Sequence, residues 1–267
     1  MKSLLLSLLV LPSIAMAQNF KADIHNFNFN YTSPLGEGIA KSFSFESFSE
    51  KKEAKVWVEK TSEGFLVKAS GVTDGEFEIK NTPDFIASAE KINLRDFNFS
   101  FNQSMHMKLS EASFTSPESQ LNLQNLNWSC NRDSSSSEIL KQVLNGCISK
   151  MTLNTSRFTS NSFATEALAE ALGIHAATLA GVGLNDLDLS IVKGSFDLSA
   201  QVKAQISGKV RGKGEVSYHS STQEVKIKIS SVKFGILNIT SKVFSELKKN
   251  ESDKLKVQQP FIILKLN

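Results

Sequence analysis

The sequence predicts a mainly β protein of α+β character, in which a long curved antiparallel sheet, or a pair of sheets, carries two or three short helices. Three observations point there. A phrase occurs twice: Ile92-Asn93-Leu94-Arg95-Asp96-Phe97-Asn98-Phe99-Ser100 returns as Leu121-Asn122-Leu123-Gln124-Asn125-Leu126-Asn127-Trp128-Ser129. Looser copies lie at Ile24-His25-Asn26-Phe27-Asn28-Phe29 and Leu187-Asp188-Leu189. Apolar and polar residues alternate in the phrase, so its large apolar groups share one face of a strand. The alternation slips by one residue at Asp96 and at Asn125, which predicts a bulge or sharp bend at each. The aromatic content is also skewed, with 19 Phe against 2 Tyr and 2 Trp. Phenylalanine has no polar handle and asks for a dry environment. A one-faced sheet of this kind must cover its apolar side with a second sheet, a helix or a ligand.

The elements follow in order. Phe20 to Tyr31 reads as a strand, Pro34-Leu35-Gly36-Glu37-Gly38 as a turn, and Phe43, Phe45 and Phe48 as a further strand with a slip. Val56-Trp57-Val58 and Phe65-Leu66-Val67 are strands joined by Thr61-Ser62-Glu63-Gly64. Asp74-Gly75 predicts a tight turn before Phe77-Glu78-Ile79. A strand through Met105, Met107 and Leu109 separates the two best repeats, and Pro117-Glu118-Ser119 turns between them. After Cys130 a helix is expected, capped near Ser137, with Ile139, Leu140, Val143 and Leu144 inward and Gly146 ending it. An alanine-rich helix is expected from Ser162 to Ala180, closed by Gly181 and Gly183. Phe196 to Val216 alternates as one long run, with Gly208, Gly212 and Gly214 on the apolar face, where the sheet is free to bend or admit another backbone. Val225, Ile227 and Ile229 form the next strand, Ser241 to Lys249 a helix, and Leu255 to Leu266 a closing strand in which Pro260 marks an edge or bulge.

The ends and the charges bound the setting. Lys2, the apolar run Leu4 to Leu11 and the small-x-small site Ala15-Met16-Ala17 predict a signal peptide over 1–17. The expected organisation is then a β-rich part over 18–130, a helical part over 131–183 and a β-rich part over 184–267, or one continuous domain from 18. Cys130 and Cys147 are the two cysteines, and in an exported chain they are expected to pair. The compartment expected is the periplasm, with secretion as the alternative. Charge is divided: Gly183 onward holds 14 Lys and Arg against 8 Asp and Glu, whereas the whole chain nets only +3. Lys203, Lys209, Arg211 and Lys213 alternate along one strand face, where they are either solvated or meet anionic headgroups or an acidic partner.

Chemistry-bearing patterns are sparse. His25, His106, His175 and His219 fall in unrelated contexts, with no Gly-x-Ser-x-Gly elbow and no His-Glu-x-x-His helix. No catalytic residue, metal site or cofactor is expected. Two cysteines without a histidine pair do not make a zinc site. Gly208-Lys209-Val210-Arg211-Gly212-Lys213-Gly214 lacks the spacing of a phosphate loop and the stacking aromatics of a nucleic-acid surface, so nucleic acid is not an expected partner. Asn-x-Ser/Thr triplets at Asn30, Asn98, Asn102, Asn127, Asn154, Asn238 and Asn250 read as coincidence in an Asn- and Ser-rich chain.

The stretch from Leu187 through the Gly-Lys-Gly run, Val232-Lys233-Phe234-Gly235, Val243 to Leu247 and Pro260-Phe261-Ile262-Ile263 resembles the bacterial periplasmic members of the tubular lipid-binding (TULIP-like) group. The repeats before Cys130 resemble the β-groove repeats of envelope lipid-transport proteins. The resemblance implies a tubular fold, with a sandwich as the alternative, and non-enzymatic binding of a lipid or other apolar ligand. The residues expected to line such a groove are Phe97, Phe99, Leu123, Trp128, Ile227 and Ile229, with the basic face touching headgroups at the membrane periphery. Phe99→Asp is expected to abolish binding in a folded protein. The alternative is a structural or protein-interaction module of the envelope or secreted surface, with a fully packed core.

Overall fold

A computed structural model of the protein describes residues 22–45, 48–50, 53–62, 64–69, 76–80, 88–117, 120–136, 138–160, 183–203, 207–249 and 251–266. The expected signal peptide, the 162–180 helix and the Asp74-Gly75 turn lie outside them. Among the described residues the architecture is mainly β, one long open antiparallel sheet with two short helices. The first strands are β1 (Ala22–Thr32), β2 (Leu35–Ala40), β3 (Ser42–Phe45), β4 (Phe48–Glu50), β5 (Ala54–Lys60), β6 (Gly64–Ala69) and β7 (Glu76–Lys80). Next come β8 (Lys91–Phe101), β9 (Ser104–Thr115), β10 (Gln120–Asn131), helix α1 (Ile139–Ser149), β11 (Lys150–Ser160), β12 (Gly183–Val192), β13 (Ser195–Lys203), β14 (Gly208–His219) and β15 (Glu224–Phe234). The chain closes with β16 (Leu237–Asn238), α2 (Thr240–Lys248), β17 (Leu255–Gln258) and β18 (Phe261–Lys265).

From β8 to β15 each strand pairs with the next, so the sheet runs unbroken through 130/131 and 183/184. β1 pairs with β8 on one side and with β2 and β3 on the other, and β5, β6 and β7 extend that edge. β18 pairs with β15 and β17 at the far edge.

Several elements differ from the sequence expectation: the run Phe196 to Val216 is two antiparallel strands, β13 and β14, Phe43 to Phe48 spans two paired strands, β3 and β4, and β11 is a strand within the part expected to be helical. Gly36 and Gly38 lie within β2 instead of a turn, because the turn is Ser33–Pro34. A Cβ at Gly36 would meet Phe29 at 2.8 Å, and one at Gly38 would meet Phe27 at 2.6 Å. These glycines make room for aromatic rings of the neighbouring strand. Gly146 does not end α1, which continues to Ser149. Its missing side chain lets the helix press against the backbone of Asn131 and Arg132. The closing strand is a hairpin, β17 and β18, with Gln259–Pro260 in its turn.

The bends predicted at Asp96 and Asn125 are present, with φ of 51° and 52°. Asn26 in one looser copy and Asp186, just before the other, bend too. Asn and Asp are the side-chain-bearing residues that tolerate this left-handed region best. Inward positions change parity along a line crossing neighbouring strands: Leu94 and then Phe97 on β8, Leu123 and then Leu126 on β10, Leu184 and then Leu187 on β12. Ser110–Glu111 on β9 and Ser156–Arg157 on β11 are the paired outward residues of the same line. The aligned bends form a crease across the sheet.

The crease frees backbone groups, and local side chains take them up. Across β1 and β8 the arrangement is reciprocal: the Asn26 N–H donates to Asn98 Oδ1 at 3.0 Å, and the Asp96 N–H donates to Asn28 Oδ1 at 3.1 Å. On β11 the buried Thr155 hydroxyl donates to the Gln124 carbonyl at 2.7 Å. The Asx-rich polar half of the repeated phrase is therefore the hydrogen-bonding half of the crease.

Candidate functional site

Inward residues on successive strands meet in cross-strand rows. Ile24, Phe99, Met107, Trp128, Leu153, Leu189 and Leu198 form one row, and Phe101, Met105, Cys130, Met151, Ile191 and Phe196 its neighbour. Both lie on one side of the crease. Beyond it run Phe29, Leu94, Ala112, Leu123, Phe158 and Leu184, then Tyr31, Ile92, Phe114 and Leu121. Both sides mix buried and half-buried residues, since Met107, Leu153, Leu189 and Leu198 on the first side are half-buried too.

The first side is closed by α1. Val143 and Cys147 of the helix join the core of Phe99, Phe101, Met105, Trp128, Cys130, Met151 and Ile191. The Cys130–Cys147 disulfide pins the helix to β10, with the two Cα atoms 4.8 Å apart. Arg132 lies over the Phe101 ring at 4.5 Å and donates to Gln142 Oε1 at 2.6 Å and to the Asn102 carbonyl at 3.0 Å. Burial lowers its pKa from the ordinary arginine value. At the other end of the helix, the Lys193 and Gly194 N–H groups donate to the carbonyls of Ser149 and Ile148, both at 2.8 Å. The turn of the β12–β13 hairpin thus caps the helix C-terminus, where carbonyls otherwise lack partners.

Beyond the crease, Ile92, Leu94, Phe114, Leu121, Leu123 and Leu184 are only half-buried, although Phe29, Tyr31 and Phe158 are buried among them. Among the described residues, Tyr31 Oη and Trp128 Nε1 are buried with no hydrogen-bond partner. Each such atom carries a desolvation cost that a bonded group avoids.

The expected groove residues therefore fall into three settings. Phe99 and Trp128, 4% and 2% exposed, belong to the packed core under α1. A carboxylate at Phe99 would unfold that core, so Phe99→Asp tests stability and not binding. Phe97 lies at the crease beside Phe27 and Phe99, and Leu123 in the half-buried rows. Ile227 and Ile229 pack in a separate cluster with Phe244 and Leu247 of α2 and with Ile262. Sequence reasoning missed Ile92, Leu94, Phe114 and Leu121 as a group, because only the cross-strand register brings them together.

The basic face also resolves into parts. Lys213 pairs with Asp197 at 3.0 Å. Lys209 and Arg211 stand opposite Gln201 and Ser199 on β13, and Arg211 opposite Lys233 on β15; Lys203 ends β13. Gly208 and Gly214 accommodate rings, not another strand's approach alone: a Cβ at Gly208 would meet Phe234 at 2.5 Å, and one at Gly214 would meet Phe196 at 2.6 Å.

Two open hollows of about 460 and 550 Å³ flank Lys193–Gly194. The first is lined by Asn145, Ile148 and Ser149 of α1, the second by Glu215, Ser217, His219, Lys226 and Lys228 on the outward face of β14 and β15. Among the described residues no group of three or more His, Cys, Asp or Glu is placed to hold a metal ion, and no helix is long and apolar enough to cross a membrane. Compared with known proteins, the chain matches no family model, no curated protein and no solved structure.

Proposed function

We propose that the protein is a non-enzymatic carrier of a lipid or similar apolar ligand in the bacterial periplasm. The ligand lies along the half-buried rows beyond the crease. One observation carries the reading: beyond the crease a continuous apolar surface, Ile92, Leu94, Phe114, Leu121, Leu123 and Leu184, is half-buried on successive strands. Each methylene an acyl chain buries there contributes roughly 0.8 kcal/mol. The disulfide suits an oxidising, exported setting. The resemblance of the C-terminal third to tubular lipid-binding proteins points the same way.

Native mass spectrometry of the protein from its own exported fraction, followed by solvent extraction, tests this. The expected result is a reproducible lipid that leaves on denaturation and is missing from a folded Leu123→Lys variant. Bare protein that takes up none of the lipids offered would overturn the reading.

A second reading has its own observation. Leu35, Ile39 and Trp57 are exposed on the outer face of β2 and β5. An exposed apolar patch of this kind favours a protein-interaction module. Bare, lipid-refractory protein would leave that reading standing.

A further inference from the structure

At one end of β14 and β15 the chain turns through Gly235 and Ile236 into β16. Gly235 has φ +58°, which matches a two-residue hairpin turn with glycine first. Ile236 is 95% exposed and Leu237 62% exposed. The tip is held firmly. The Gly235 N–H donates to the Lys209 carbonyl at 2.9 Å, the Ile239 N–H to the Val232 carbonyl at 2.9 Å, and the Val232 N–H to Thr240 Oγ1 at 2.7 Å. Hairpin turns ordinarily place Gly, Asn, Asp or Ser at such positions. A fixed isoleucine and leucine in water is a standing cost, offset only when something apolar meets them.

The surroundings identify what meets them. Lys209 donates nothing to a carboxylate and neither do Arg211 and Lys233, among the described residues. The carboxylates first reached from Arg211 across the ladder are Asp197, already held by Lys213, and Asp188 on β12. Lys242, exposed in the first turn of α2, adds a further cation. Two apolar side chains are far too few for a stable protein interface, which buries about 1,200 Å² or more. They suit shallow insertion between headgroups, with unpaired cations facing diffuse negative charge.

We propose that the Gly235–Leu237 tip, with Lys209, Arg211 and Lys233 beside it, docks the protein reversibly on an anionic lipid membrane. This stands apart from ligand carriage: protein emptied of ligand still docks, and a failure to dock leaves the groove unaffected.

The test uses the full chain carrying Ile236→Cys. The two natural cysteines are joined to each other, so an environment-sensitive fluorophore couples at the new thiol alone. Vesicles of phosphatidylcholine with phosphatidylglycerol should blue-shift the emission, and vesicles of phosphatidylcholine alone should not. Lys209→Gln, Arg211→Gln and Lys233→Gln should each weaken binding about fivefold, and salt should suppress it. Ile236→Asp, read by cosedimentation, should weaken it about tenfold or more and leaves the fold intact because the side chain is in water. A signal at this position is not mimicked by the apolar run Leu4 to Leu11. No shift with anionic vesicles, or equal shifts with both vesicle types, would overturn the proposal. So would a shift produced by envelope proteins and not by vesicles.

Discussion

Asn28 and Asn98 do the same work from opposite strands, each accepting a backbone N–H that the other strand's bend releases. Asn98 also donates from Nδ2 to the Asp96 carbonyl at 2.7 Å, which ties the bend to its own strand. Asn98→Ala should therefore cost about 1–2 kcal/mol in urea unfolding. At Asp96 the backbone sets the cost: with φ at 51°, Asp96→Gly should be near neutral, whereas Asp96→Val should cost about 1–3 kcal/mol. The same titrations should find Tyr31→Phe unchanged or up to about 1 kcal/mol more stable, because it deletes a buried hydroxyl without a partner. The slips at Asp96 and Asn125 were legible because apolar residues flank them closely on both sides. The matching slips at Ser110–Glu111 and Ser156–Arg157 were not, since one inward flank of each is the small Ala112 or the polar Thr155, which breaks the apolar pattern.

At the scale of elements, α1 is anchored at both ends, by the disulfide and by the β12–β13 turn. The disulfide closes a loop across 17 positions, and Cys130→Ser with Cys147→Ser should cost about 3 kcal/mol. Gly146→Ala should cost about 1–3 kcal/mol, because the added methyl meets the Asn131 carbonyl. Gly146 was misread as a helix stop because glycine marks both chain termination and close approach, and only the packing partner distinguishes them. The loop before α1 carries a pH dependence. The Asp133 carboxyl lies below the usual carboxylate range, held there by the Ser135 hydroxyl, then the Asn145 amide and the Ser135 N–H. A depressed folded value contributes stability fully above about pH 5, and that contribution fades as pH falls through about 4 and below. Asp133→Asn should flatten the acid limb of a plot of urea midpoint against pH. An unchanged limb would mean that the loop does not couple to unfolding.

For the whole molecule, the crease matters more than any one strand. Bulges bend strands and deepen local twist, and here the bends align from β1 to β12, so the sheet has two sides. The repeated phrase made the one-faced β architecture readable, because each copy carries both its apolar face and its bend locally. How each side is covered was not readable. The closure under α1 depends on a disulfide, an Arg132–Gln142 contact and a distant hairpin turn, and Ile227 and Ile229 pair with α2 through register alone. The half-buried rows beyond the crease lead to a thermodynamic expectation. A ligand that binds only the folded chain raises its stability by about 2.7 kcal/mol at a hundred times its dissociation constant. That increment should appear when a phospholipid is added to delipidated protein. It should vanish in Leu123→Lys and survive in Ile236→Asp, because the first charge sits in the half-buried rows and the second in solvent. Loss in both variants would tie carriage to the membrane tip, and an increment that survives Leu123→Lys would place the ligand elsewhere on the sheet.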